Sequence, residues 1–294
     1  MSTIEKALAK QKAAQAKATA EQPQVTEQEA PAASTPVATT QPIEEAATAS
    51  GNLTVCVDTE SMNERGYLID EGNRKNIKEE FRQIKRKVLN NAFGRIGQTL
   101  DNSNLVMVSS SKPNEGKTFV SINLALSIAL EQDKTVLLVD ADVLRPSINR
   151  ELGVPDTEGL MEYLLHEKND IGEVIYNTNI DNFKLIPSGK VHHLSNELLA
   201  SERMKSLAKE LAKRYPDRLV IFDCPPIVGI TETVVLSEHV GQAIIVVEES
   251  KTQLANITEA TEQLSEELAI GFVINKSVRS HKDKYGYYGY GYYK

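Results

Sequence analysis

The run Ser111-Lys112-Pro113-Asn114-Glu115-Gly116-Lys117-Thr118 lies between the apolar segment LVMVSS (105–110) and the helix-forming segment FVSINLALSIAL (119–130). A Gly-Lys-Thr triplet between strand and helix matches the end of the pattern G-x-x-x-x-G-K-[ST]. The chemistry of that pattern is phosphate binding. Backbone N–H groups of the loop surround phosphate oxygens, and the positive end of the next helix faces them. Gly116 lets the backbone approach closely. Lys117 is placed to reach the β- and γ-phosphates of ATP, and Thr118 offers its hydroxyl to Mg²⁺. Residues Ser111 to Phe119 are the expected ATP-binding stretch. Ser111 stands where the pattern has its first glycine, a departure within the loop.

Acids complete the set. The segment VLLVDADVLRP (136–146) carries Asp140 and Asp142 at the end of an apolar run. Two residues apart on an extended chain, they would point the same way. RLVIFDCPP (218–226) ends in Asp223, with Pro225 and Pro226 stopping the strand. The carboxyl ends of strands are where open α/β sheets bind ligands. Three carboxylates beside a polyphosphate repel one another unless a cation intervenes. Thr118, Asp140 and Asp223 are therefore the expected Mg²⁺ ligands.

The elements that must hold these residues are legible as alternating runs. LVMVSS, TVLLVD (135–140), FKLIP (183–187), LVIFD (219–223), AIIVVEE (243–249) and GFVIN (271–275) are rich in Val, Ile and Leu, with helical stretches between them. Near-continuous apolar strands followed by helices predict an α/β fold with a mainly parallel sheet flanked by helices on both faces. Upstream, NIKEEFRQIKRKVLNNAF (76–93) has helical spacing that aligns Ile77, Phe81, Ile84, Val88 and Leu89. Residues 1–50, rich in Ala, Gln, Thr, Pro and Glu, hold too little apolar surface to offset the entropy of ordering. The expected organisation is a disordered N-terminal segment (1–50), a helical bridging or oligomerisation region (51–103), a P-loop domain (104–280) and a tail (281–294).

Composition narrows the partners. A net charge of −8 over 294 residues argues against broad nucleic-acid binding. Cys56 and Cys224 have no metal-site spacing and read as free thiols. No run approaches a membrane span, and the N-terminus lacks the basic-then-apolar pattern of a secretory signal, so a cytoplasmic location is expected. Six of the ten tyrosines, Tyr285, Tyr287, Tyr288, Tyr290, Tyr292 and Tyr293, fall in the last ten residues, spaced by glycine. Such a terminus builds no core, and it presents a row of phenolic hydroxyls.

Taken together, PNEGKT, VLLVDADVLRP, VIFDCPPI, NELLASERM (196–204) and the terminal tyrosines resemble the bacterial tyrosine kinases of exopolysaccharide and capsule synthesis, over roughly residues 76–294. The resemblance implies an ATP-dependent autokinase that phosphorylates its own tail. Lys117, Asp140 and Asp142 would be catalytic, with either acid orienting or deprotonating the attacking tyrosine. It implies a homo-oligomer, ring-like in the family, joined through a helix motif E-x-x-R-x-x-R. Glu79 and Arg82 match that motif, while Lys85 stands at its third place with Arg86 beside it. It also implies a membrane activator of the polysaccharide copolymerase class, recruitment to the inner face of the cell membrane, and a cognate tyrosine phosphatase. Two further departures are Leu144, where the family often has arginine (Arg145 follows), and Cys224, where threonine is common. The competing reading is a ParA/MinD-like ATPase, a positioning or assembly switch without kinase activity. Lys112 favours it, because such ATPases carry a lysine there that reaches a partner subunit's nucleotide. The tyrosine tail and the Glu79–Arg82 helix oppose it.

Overall fold

A computed structural model describes residues 53–69 and 75–277. The expected N-terminal segment and the tyrosine tail lie outside the described residues. In chain order the elements are β1 (Thr54–Val55), α1 (Thr59–Arg65), α2 (Lys75–Phe93), β2 (Leu105–Ser110), α3 (Lys117–Ala129), β3 (Thr135–Asp140), α4 (Ile148–Leu152), α5 (Leu160–Leu164), β4 (Tyr176–Thr178), β5 (Phe183–Ile186), α6 (Ser195–Leu199), α7 (Glu202–Arg214), β6 (Arg218–Asp223), α8 (Thr231–Ser237), β7 (Gln242–Glu248), α9 (Leu254–Glu262) and β8 (Ala269–Asn275).

The strands form one sheet in the order β1-β4-β5-β3-β6-β2-β7-β8. The β4–β5 pair is antiparallel and the other pairs are parallel. All six apolar runs are strands. Every residue of β2 and β6 is buried, as expected for strands covered on both faces. Alternate side chains divide the core into two layers. Leu105, Met107, Leu137, Val139, Val220 and Phe222 meet Met204, Leu207 and Leu211 of α7 on one face. Val106, Val108, Val136, Leu138, Leu219 and Ile221 meet α3 on the other. α3 is buried along its length from Val120 to Ala129, as a helix that is apolar all round must be. It lies between the sheet and α2, whose Phe81 and Val88 are buried against the same layer.

The expected boundary at 103/104 has no counterpart in the packing. Val55, Val57, Met62 and Tyr67 join the same apolar layer as α3, and β1 extends the sheet beside β4. Asn179 fixes this edge, accepting from Val57 N at 2.7 Å and donating to Val57 O at 3.1 Å. Strands of two and three residues are too short to show a period-2 pattern, which is why β1 and β4 escaped the sequence reading. No helix among the described residues is long and apolar enough to cross a membrane.

Candidate active site

The loop 111–116 joins β2 to α3, and its conformation explains its residues. Gly116 has φ +95° and Asn114 φ +66°, the left-handed region that glycine and asparagine tolerate best. Ser111 is not among the described residues with positive φ, so a glycine is not needed at the place where the pattern has one. Its hydroxyl instead donates to the Glu115 carboxylate at 3.1 Å. Glu115, itself buried, also accepts from Lys112 N at 2.8 Å and from the Thr252 hydroxyl. Glu115 thus ties Ser111, Lys112 and Thr252 together behind one carboxylate. Lys112 is exposed on the outer turn.

From the first turn of α3, Thr118 Oγ1 donates to Asp223 Oδ2 at 2.7 Å, and Ser121 Oγ lies 3.0 Å from Asp223 Oδ1. Lys117 Nζ sits 2.5 Å from Asp142 Oδ2 and 4.0 Å from Asp223 Oδ2. Asp140 and Asp223 are register partners on β3 and β6. The sheet therefore brings Lys117, Thr118, Asp140, Asp142 and Asp223 to one carboxyl edge. Ser147 adds a hydroxyl 3.1 Å from Thr118 Oγ1.

One expectation about the acids needs correction. β3 ends at Asp140 and Asp142 lies in the following loop, so the pair is not co-extended. Asp140 turns to its own loop. Oδ1 accepts from Asp142 N at 3.2 Å, and Oδ2 accepts from Ser147 N at 3.2 Å and Ile148 N at 3.1 Å. Asp142 Oδ1 accepts from Arg145 N at 3.2 Å, leaving Oδ2 to the ammonium of Lys117. Arg145 therefore enters this loop through its backbone. Ser121 and Ser147 were missed. Ser121 was readable in principle, since it stands three residues after Thr118 on the same helix face.

Burial first, then the facing Asp223, pushes the Asp140 carboxyl up to about 8. Burial likewise raises Asp223, against the pull of Lys117 and the Thr118 and Ser121 hydroxyls. Burial alone would lower Lys117, but Asp223, Asp142 and Asp140 outweigh it and hold the ammonium above its ordinary value. One ammonium faces three carboxylates, which is the electrostatic situation a divalent cation relieves. The donors are hard oxygens, two carboxylates with the hydroxyl of Thr118, and they suit Mg²⁺. Among the described residues no cluster of three or more acids, histidines or cysteines forms a complete metal cage. Mg²⁺ is commonly bound by one or two carboxylates plus substrate phosphates, so Thr118, Asp223 and Asp140 fit the group without a cage.

The remaining predicted residues divide. Glu79 and Arg82 are exposed on α2 and pair at 3.5 Å. Arg86 is exposed beside them. Lys85 turns inward. Buried, it donates to Ser127 O at 3.0 Å and meets Glu131 Oε1 at 2.5 Å, at the C-terminal end of α3. Cys224 is buried just behind Asp223, its thiol pushed well above the ordinary range by desolvation and then by that carboxylate.

Residues 103–277 match the family described as AAA domain. The tyrosine-protein kinase YwqD of Bacillus subtilis is 33% identical over 186 residues, which are 63% of this chain and 77% of that protein. The tyrosine-protein kinase wzc of Salmonella typhimurium is 32% identical over 194 residues, 65% of this chain but 26% of its own length. The solved kinase domain of the Escherichia coli tyrosine kinase ETK has the same fold, with a TM-score of 0.59 at 24% identity, covering 82% of this chain and 95% of that one. The fold and site define a P-loop nucleotide-binding protein. Within that class, the chain belongs to the bacterial tyrosine-protein kinase family.

Proposed function

We propose that the chain is an ATP-dependent protein-tyrosine autokinase that phosphorylates its own C-terminal tyrosines, Tyr285 to Tyr293, from one copy to another. The observation that carries the reading is the convergence of Lys117, Thr118, Asp142 and Asp223 within hydrogen-bonding or ion-pair reach at the end of a phosphate-binding loop. Phosphoryl transfer asks for positioning and charge neutralisation more than for covalent chemistry. Loop N–H groups and Lys117 hold the phosphates in line. Thr118, Asp140 and Asp223 would hold Mg²⁺, Asp223 directly or through water, and the ion would supply charge neutralisation at the transferred group. The phenolic oxygen of the acceptor forms a bond to the γ-phosphorus, the bond to the β-phosphate oxygen breaks, and ADP leaves. The phenolic proton passes to a carboxylate of the Asp140–Asp142 pair. Asp142 is the better placed, because Asp140 already accepts three backbone N–H groups.

The setting we infer is regulation of exopolysaccharide or capsule synthesis. The kinase would act in the cytoplasm as a homo-oligomer built on Glu79, Arg82 and Arg86, drawn to the membrane by a copolymerase-type activator and reset by a phosphatase.

Phosphotyrosine mass spectrometry on the full chain with Mg-ATP tests the central claim, beside Lys117→Met and a truncation ending at Lys284. Phosphate on the tail tyrosines of the wild type, absent from both variants, is the expected result. ATP hydrolysis with no tyrosine modified, even with a membrane activator fragment added, would replace this reading with the ParA/MinD-like one.

A further inference from the structure

Resting on the ATP-site reading, we infer that Lys276, together with Asn275, is a positioning residue for the nucleotide phosphates and acts by orienting two peptide groups of the loop from behind. The argument starts from peptide geometry. In a trans peptide the C=O of one residue and the N–H of the next point in opposite directions, and the described chain has no cis peptide. Lys276 Nζ donates to Asn114 O at 2.6 Å, and Asn275 Nδ2 donates to Glu115 O at 2.9 Å. Holding those two carbonyls on the outer side of the loop turns the N–H groups of Glu115 and Gly116 to its inner side. These N–H groups belong to the loop that surrounds phosphate oxygens.

An exposed lysine on a carbonyl is ordinarily worth little. Three observations set this one apart. Asn114, whose carbonyl takes the ammonium, itself lies in the left-handed region at φ +66°. Lys276 itself adopts φ +56°, which is uncommon for lysine and occurs where the chain leaves β8 beside the loop. The ammonium is also anchored from its other side by Glu248 Oε2 at 2.9 Å. That carboxylate is partly buried, with 11% of its side chain exposed, and a second ammonium, Lys251, meets it too. Glu248 and Asn275 are register partners on β7 and β8. The anchor and the two donors are therefore fixed by one strand pair. The same strand end reaches the loop by a second route: Glu248 N donates to Thr252 Oγ1 at 2.8 Å, and Thr252 donates to Glu115. The fit is close enough that a Cβ on Gly116 would lie 2.0 Å from Asn275 Nδ2.

A contact that orients loop N–H groups serves substrate and transition state alike, so losing it raises KM and leaves kcat. The experiment is ATP and ADP titration of the full chain by calorimetry, with steady-state tail phosphorylation, for wild type, Lys117→Met, Lys276→Met and Lys276→Arg. Lys276→Met is expected to weaken ATP and ADP about tenfold, to raise KM for ATP by a similar factor and to change kcat less than about twofold. Lys276→Arg, which keeps a cationic donor, is expected to recover most of the affinity. A general loss of structure would instead lower kcat through a smaller active fraction at constant KM. Should Lys276→Met fail to fold, Glu248→Gln takes its place, since it frees the ammonium from its anchor. It is expected to give a smaller shift in KM of the same sign. If the wild type binds ATP, Lys117→Met does not, and both Lys276→Met and Glu248→Gln bind within twofold of wild type, the inference falls and the ATP site stands. If the wild type binds no Mg-ATP, both fall.

Discussion

Lys117 places its ammonium between Asp142 and Asp223, at 2.5 and 4.0 Å. Replacing it with methionine keeps the stem and removes the charge proposed to meet the phosphates. Phosphotransfer should fall about 10²- to 10³-fold, the scale for losing one preorganised charge-stabilising donor, and a phosphotyrosine time course reads it. Gly116→Ala fails for a different reason. The added Cβ would meet Asn275 Nδ2 at 2.0 Å, and φ +95° strains any L side chain. A loss of about 1–3 kcal/mol in unfolding free energy, with weakened ATP binding, is the expected outcome by urea titration and calorimetry. At this scale the sequence was informative where chemistry is local. Gly116, Lys117, Thr118 and Asp223 stand where their motifs put them. It was uninformative where a side chain's partner is distant in sequence. Glu115 bonding to Thr252, Lys276 reaching Asn114 and Ser147 beside Thr118 are contacts across 137, 162 and 29 positions, and no spacing rule links such pairs.

Between α2 and α3 the decisive contact is Lys85, which the aligned motif places beside the candidate assembly residues. Its inward turn gives that ammonium to the last turn of α3, where unpaired carbonyls and the negative helix end favour a cation. Lys85→Met should therefore lower thermal stability, by about 1–2 kcal/mol, with self-association retained. Arg82→Ala and Arg86→Ala should do the reverse, lowering self-association with melting temperature unchanged. Analytical ultracentrifugation beside thermal melting separates the two classes. Equal behaviour of Lys85 and Arg86 would mean that both serve the fold or both serve the interface. The helical period of α2 was readable, because Phe81 and Val88 recur at helical spacing. Which lysine of the stretch Ile-Lys-Arg-Lys (84–87) would turn inward was not, since adjacent residues differ by about 100° around the helix and the facing partner, Glu131, is only fixed by packing. The short strands β1 and β4 were hidden for a related reason: their pairing, not their composition, makes them strands.

Over the whole chain the governing quantity is charge. The protein carries −8 before any modification, and its proposed acceptor tyrosines are concentrated in ten residues at one end. Each phosphate adds about −1.5 to −2 charges, so full modification of the six would add roughly −9 to −12. That would more than double the net charge, in a stretch that the proposed reaction between copies brings to a neighbour's acidic site. In the tyrosine-bearing stretch 285–294 the unmodified chain has Lys294 as its single charged side chain, so that stretch meets Asp140, Asp142 and Asp223 without repulsion. Phosphorylated tails would be expelled by those same acids and by one another. The expected result is that full phosphorylation shifts the chain from assembled to dispersed forms, read as a fall in sedimentation coefficient after incubation with Mg-ATP. Because repulsion between exposed charges is screened over about 8–10 Å at 0.1–0.15 M salt, raising the ionic strength should restore part of the assembly. A chain truncated at Lys284 should stay assembled throughout. Dispersal of that truncated chain by Mg-ATP would instead assign the switch to nucleotide turnover at the loop, and the tail would then be a product of assembly rather than its control.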